Sequence, residues 1–339
     1  MIDGHGDDTY NHADIRLNFS SNVYNHFAHD ALISHLAEVG KLTVSRYPEP
    51  APRRLQAALA EALGAEAANV MVTNGATEAI YLTAQALRGA RTAILQPTFT
   101  EYADACRLND HRLTFLKSLD KLSPRTDVVW LCNPNNPTGR VLSRETLLAC
   151  MDRHPGTLFV VDASYAPFTT KPLLTPVEAV RLPQVVMLHS MTKAFAIPGL
   201  RLGFLTASAT WVERIAQGRM PWSVNGLAQE AGLYLLRNRD NYRLPLDELL
   251  KECRRVRSIL EGTGMCDVMP SDTHILLCRL HCGTAASLKS FLISRFGILI
   301  RDASNFEGLD DHYFRIAVQT PTENDELIAA IQSYMNQEF

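Results

Sequence analysis

The sequence predicts an α/β fold: a mostly parallel sheet with helices packed on it, followed by a smaller α+β unit. Three observations carry this reading. Short apolar runs alternate with segments of helical periodicity from Asn69 to Leu188, the pattern of strand–helix–strand units. Those runs end at Gly75, Phe99, Asn136, Asp162 and Lys193, and a parallel sheet brings such ends to one edge, where ligands bind. The last part of the chain changes to short strands interleaved with amphipathic helices.

The composition fits this class. In 339 residues, 46% are apolar and 20% charged, with a net charge of −3 and no long basic or acidic block. That balance gives no footprint for nucleic acid or a membrane surface, and no apolar run reaches spanning length. The start, Met-Ile-Asp-Gly-His-Gly-Asp-Asp, is polar and acidic, unlike a secretory signal. The seven cysteines are scattered and odd in number, which suits reduced, buried thiols in a cytoplasmic protein. Cys278 and Cys282, with His281 between them, have a metal-like spacing but no second ligand pair, so no metal is expected.

Residues 1–30 read as an irregular arm, with His5-Gly6 early in it and a short strand running into the polar turn Ser20-Ser21-Asn22. Asp30 to Val39 has helical periodicity, and the prolines of 48–52 impose an extended loop after Tyr47. Arg53 to Leu63 is a helix ended by Gly64. Asn69 to Thr73 is a strand, and Asn74-Gly75-Ala76-Thr77-Glu78 leads into a helix from Ala79 to Leu87. Such a turn presents free backbone N–H groups to an anion. Further strands cover Thr92–Leu95, Asp127–Cys132, Leu158–Val161 and Val185–Leu188. Trp211 to Met220 is helical, and a helix-rich stretch runs to about Leu260. Ile275–Leu280, Ile298–Arg301 and Tyr313–Val318 read as strands, with helices at Ala285–Arg295 and Glu323–Met335. The expected division is an arm over 1–30 joining the small domain, a large domain over 31–225 and a small C-terminal domain over 226–339.

The chain is organised around residues 189–204. There Lys193 sits between the hydroxyls of Ser190 and Thr192, with Arg201 eight residues on. A lysine after a strand is most often solvated. A lysine among hydroxyls and a guanidinium also suits a Schiff base beside a dianionic phosphate, the needs of pyridoxal 5'-phosphate (PLP). Ser190-Met191-Thr192-Lys193 fits the Ser-x-x-Lys nucleophile motif of penicillin-binding enzymes as well, but their Lys-Thr-Gly element is absent.

Asn-Pro-Asn-Asn-Pro-Thr-Gly at 133–139, followed in order by Asp162, Tyr165, Ser190-x-Thr192-Lys193 and Arg201, resembles the fold type I PLP-dependent enzymes, the aspartate aminotransferase superfamily. The likeness covers essentially the whole chain. Within it, the sequence looks like the branch of histidinol-phosphate aminotransferase and L-threonine-O-3-phosphate decarboxylase. Arg46-Tyr47-Pro48 matches that branch's loop. His5-Gly6, Met220 to Asn225 and the run from Ile298 to Arg315 are similar to the decarboxylase.

The resemblance implies PLP as cofactor and assigns roles. Lys193 carries the cofactor aldehyde as a Schiff base. Asp162 pairs with the pyridinium nitrogen. Asn136 and Tyr165 hydrogen-bond the ring's phenolic oxygen, and Phe99 stacks on the ring face. Gly75, Ala76, Thr77, Ser190, Thr192 and Arg201 hold the cofactor phosphate, joined by Tyr47 from a neighbouring subunit, so a homodimer is expected. Arg315 binds the substrate carboxylate with Asn22 and Asn136. His5, Gly6 and Arg301 bind the phosphate of a phosphorylated amino-acid substrate. The implied activity is decarboxylation of L-threonine O-3-phosphate for cobalamin biosynthesis, with transamination of histidinol phosphate or an aromatic amino acid as the alternative.

Overall fold

The structure, a computed structural model, describes residues 7–338. Its centre is a seven-stranded sheet in the order Val70–Thr73, Gly203–Ala207, Val185–Ser190, Leu158–Asp162, Val128–Cys132, Arg91–Leu95, Arg112–Leu116. Only Gly203–Ala207 runs antiparallel to its neighbours. Val128–Cys132 and Leu158–Asp162 are buried at every residue, as expected for strands covered on both faces. Alternate residues serve the two faces. Val128, Trp130 and Cys132 join a core with the helix Gly75–Ala86, whereas Val129 and Leu131 join another with the helix Arg144–Arg153.

A second sheet of four antiparallel strands follows the order Arg301–Asp302, Tyr313–Ala317, Ile275–Leu280, Cys266–Val268. Helices Leu246–Gly262, Ala285–Phe296 and Pro321–Glu338 contribute apolar residues to its core. The arm joins this unit: Leu17–Asn18 pairs in parallel with Ile298–Leu299, and Ala317 N–H donates to Phe19 O at 2.8 Å.

Three elements differ from expectation, each for a physical reason. The edge strand Arg112–Leu116 was not expected: Arg112 and Thr114 break its apolar residues into no continuous run, and four of its five residues are exposed or half-buried. The expected strand Ile298–Arg301 is two short strands: Ile298–Leu299 pairs with the arm, and Arg301–Asp302 pairs with Tyr313–Ala317. The helix expected from Ala79 begins at Gly75, since its first turn spans the glycine-containing stretch itself. The helix Gly226–Arg237 shares a core with Leu55 and Leu59 of the helix Arg53–Leu63 and with Val70 and Val72. It therefore packs with the large sheet's elements. No described helix is long and apolar enough to cross a membrane.

Candidate active site

A cavity of about 280 Å³ opens where the strands of the large sheet end, facing the arm and the strand Tyr313–Ala317. Its walls bring together most of the residues singled out above: Asn22, Ala76, Thr77, Phe99, Asn136, Asp162, Tyr165, Ser190, Thr192, Lys193, Arg201 and Arg315.

Asp162 closes one end. It is 4% exposed, and burial raises its pKa, opposed by the hydrogen bonds it accepts from Ser164 and Tyr102. Tyr102 Oη donates to Oδ2 at 2.6 Å and the Ser164 N–H donates to Oδ1 at 2.9 Å. Sequence reasoning missed Tyr102. It is fully buried, stacked on Trp130 at 5.5 Å, and on the first turn of the helix Glu101–Leu108. The available signal was an aromatic three residues after Phe99, the spacing of one helical turn. Tyr102→Phe removes a hydrogen bond to a charged acceptor, a loss of about 1.5–3 kcal/mol. Cofactor affinity or turnover should then fall by at least about tenfold, read by titrating the variant with PLP.

Lys193 lies on the short helix Met191–Ala194, whose N-cap Ser190 accepts from its backbone N–H. Its Nζ reaches Ser21 O at 2.5 Å. Burial, and then the charge of Arg315, pull the amine down to about 7, against roughly 10.4 for a free lysine. The folded chain therefore releases this proton near neutrality, while the unfolded chain holds it until about pH 10. Between those values the unfolded state binds more protons, so this group's contribution to stability rises with pH. The same shift makes the amine a nucleophile at neutral pH. Capture of PLP by cofactor-free protein should accelerate with pH through about 7 and then level off, whereas an unperturbed lysine would keep accelerating toward about pH 10. Stopped-flow absorbance separates the two.

The other wall is polar. Asn22 Nδ2 donates to Tyr165 Oη at 3.0 Å and Asn136 Oδ1 at 3.4 Å. Arg315 Nη1 donates to Asn136 Oδ1 at 2.6 Å, and its Nη2 donates to Ser20 O. Burial raises the Tyr165 phenol, while Arg315 and Asn22 pull it back. Burial also lowers the Arg315 guanidinium to about 9; Tyr165 opposes this and Arg301 adds to it.

A phosphate cradle faces these groups. Gly75 starts a helix at φ +76°, and a Cβ there would sit 2.7 Å from Arg201 Nη2. A Cβ at Gly203 would fall 2.5 Å from Ala76 N. The glycines let the free N–H groups of a helix start and the Arg201 guanidinium approach one point, an arrangement that favours an anion. Thr192 Oγ1 is buried without a hydrogen-bond partner among the described residues. Such an orphan hydroxyl calls for a ligand. These residues fit PLP: a phosphate cradle, a neutral amine and a buried carboxylate line one cavity.

Two expected side chains among the described residues fall outside this cavity's lining. Tyr47 is 88% exposed against Trp222, away from this cavity. Arg301 is not among the cavity's lining residues but is the register partner of Arg315 on the adjacent strand. His5 and Gly6 lie outside the described residues.

Comparison with known proteins agrees with this geometry. The family model for aminotransferase class I and II matches residues 14–331. Threonine-phosphate decarboxylase of Salmonella typhimurium is 31% identical over 307 residues, covering 86% of this chain and 84% of that protein. Histidinol-phosphate aminotransferase of a Thermoanaerobacter species is 29% identical over 323 residues, covering 90% and 89%. The crystal structure of L-threonine-O-3-phosphate decarboxylase from Porphyromonas gingivalis superposes with a TM-score of 0.92 at 38% identity, over 94% of this chain and 99% of that one. The chain belongs to the aminotransferase class I and II family and is a fold type I enzyme whose cofactor is pyridoxal 5'-phosphate.

Proposed function

We propose that this enzyme decarboxylates L-threonine O-3-phosphate to (R)-1-amino-2-propanol phosphate, a step of cobalamin biosynthesis. One observation carries the reading. Arg301 and Arg315 are register partners on neighbouring antiparallel strands, both nearly buried. Partners in an antiparallel pair project to the same face. Two adjacent guanidiniums suit a small molecule with two anionic groups a few bonds apart, and threonine phosphate has a carboxylate on Cα and a phosphate on Cβ. The similarity to named decarboxylases supports the same choice.

In this reading Arg315 holds the substrate carboxylate, oriented by Asn136 and assisted by Asn22. Arg301 receives the phosphate with His5 and Gly6. Bound PLP supplies an electron-withdrawing ring that accepts the electron pair of a breaking bond at Cα. Asp162, held by Tyr102 and Ser164, keeps the ring nitrogen protonated, and Tyr165 and Asn136 hold the phenolic oxygen. Ser190, Thr192, Arg201 and the backbone at Gly75, Ala76 and Thr77 anchor the cofactor phosphate, with Phe99 against the ring. After CO2 leaves, Lys193, protonated by the substrate's amino group when displaced from the cofactor, would deliver that proton to Cα.

The working unit in this proposal is a cytoplasmic homodimer. Ile33, Leu42, Val44, Tyr47, Met220 and Trp222 are exposed large apolar residues clustered in three nearby stretches of chain. A second copy would cover them and bring Tyr47 to its neighbour's cofactor phosphate. The domain boundary expected after residue 225 is instead proposed to follow the helix Gly226–Arg237, because that helix packs with the large sheet's elements.

The alternative is transamination of histidinol phosphate or an aromatic amino acid with 2-oxoglutarate, supported by relatives named for the first of these activities. Product analysis with O-phospho-L-threonine, with and without 2-oxoglutarate, decides between them. Release of CO2 and aminopropanol phosphate without the oxo acid is expected. Glutamate formed from histidinol phosphate, with no CO2 from the phosphothreonine tube, would sink the decarboxylase reading.

A further inference from the structure

Among the described ion pairs between the arm and the C-terminal unit, one is largely enclosed. Lys289, on the helix Ala285–Phe296, donates to Asp8 Oδ2 at 2.6 Å across 281 residues of chain. The two side chains keep only 17% and 18% of their exposure. An ion pair enclosed to this degree gives up hydration on both sides and is weak evidence for stabilisation by itself. Asp8 also meets His12 Nε2 at 3.5 Å. Its second oxygen, Oδ1, is buried with no hydrogen-bond partner among the described residues.

The consequence of this pair is at Arg301. Burial lowers the Arg301 guanidinium from its usual range, and the charges of Asp302 and Asp8 act against that shift. The chain also places Asp8 and Arg301 together: Asp7, next to Asp8, accepts from Asn18 Nδ2 at 2.6 Å, and Asn18 is the register partner of Leu299, two residues before Arg301. Yet Arg301 donates to a neutral acceptor, Asn305 Oδ1 at 2.7 Å, and its ring neighbour is Phe306 at 5.3 Å. No carboxylate lies within ion-pair distance of it among the described residues. A free carboxylate near this guanidinium would compete for it and repel an incoming dianion.

We infer that Lys289 is a positioning residue for phosphate recognition: by holding and neutralising Asp8, it keeps Arg301 available to the phosphate of the substrate. This rests on the assignment of Arg301 to that phosphate. Lys289 touches neither substrate nor cofactor in this role. It acts through the charge it cancels.

The test uses the holoenzyme, whose cofactor phosphate site is already filled, and two readouts. One is the dissociation constant of inorganic phosphate by calorimetry, and the other is KM and kcat for O-phospho-L-threonine. Lys289→Met is expected to raise the phosphate dissociation constant and KM by about tenfold each, with kcat within about twofold. Lys289→Arg keeps both near wild type. The double variant Asp8→Asn/Lys289→Met removes both charges and should return both constants to within about twofold of wild type. An unchanged phosphate constant in Lys289→Met overturns the inference. So does a double variant as impaired as the single one, since the lysine would then only tether the arm. Melting curves verify that each variant is folded. Arg301→Gln is the control for the underlying assignment. If it leaves phosphate binding untouched, the assignment of Arg301 fails, and that result is distinct from any outcome at Lys289.

Discussion

Lys193→Ala should lower turnover on the order of 10⁴-fold, the upper range for removing a proton-transferring side chain, while the protein stays folded. The residue has two jobs, and alanine removes both. In the proposed mechanism its amine is the nucleophile that fixes the cofactor, and it moves a proton at Cα. The structure sets this lysine apart from an exposed one. Nζ lies within hydrogen-bond distance of Ser21 O, and its pKa is drawn to about 7 by burial and by Arg315. An exposed lysine would be almost entirely protonated at that pH. Borohydride treatment gives an independent readout. It should fix the yellow chromophore to the wild-type chain at Lys193 and leave the variant unlabelled. Retention of more than about a tenth of wild-type turnover by the variant would overturn the role.

Asp162→Asn should lower turnover by about 10²–10³-fold, the typical cost of losing one preorganised electrostatic contact in a closed site. Asparagine keeps the shape, its one carbonyl oxygen still accepts from the Ser164 N–H and its amide nitrogen donates to Tyr102 Oη, but in the proposed role it carries no charge to hold a proton on the ring nitrogen. The residues proposed to hold the cofactor phosphate, Gly75, Arg201 and Thr192, are left unchanged, so PLP should remain bound. The expected signature is therefore a fall in kcat with near-normal cofactor content. A variant within tenfold of wild type would remove Asp162 from the reaction. Comparison with Tyr102→Phe orders the pair: the tyrosine acts through the carboxylate and its loss should be the milder one.

The elements of the large sheet were legible because each is local. Val128–Cys132, residues 158–161 and residues 185–188 are continuous apolar runs, as expected for strands buried on both faces. Their polar ends named Asn136, Asp162 and Lys193 before any coordinates. The edge strand Arg112–Leu116 was not legible, because Arg112 and Thr114 interrupt its apolar residues.

What the sequence alone determined was the cofactor chemistry: the motif at 133–139, the carboxylate at 162 and the lysine among hydroxyls at 193 are spaced along successive strand ends. The tertiary structure decided how those groups are held and what lies beside them. The facing of Arg301 and Arg315 follows from strand register. The bonds from Lys193 and Arg315 end on the backbone carbonyls of Ser21 and Ser20, which every residue carries and no side-chain pattern records. The bond from Tyr102 to Asp162 and the ion pair of Asp8 with Lys289 join residues 60 and 281 positions apart. Periodicity reports which face of an element is apolar. It contains no information on which distant residue that face will meet, and only the packed fold supplies that.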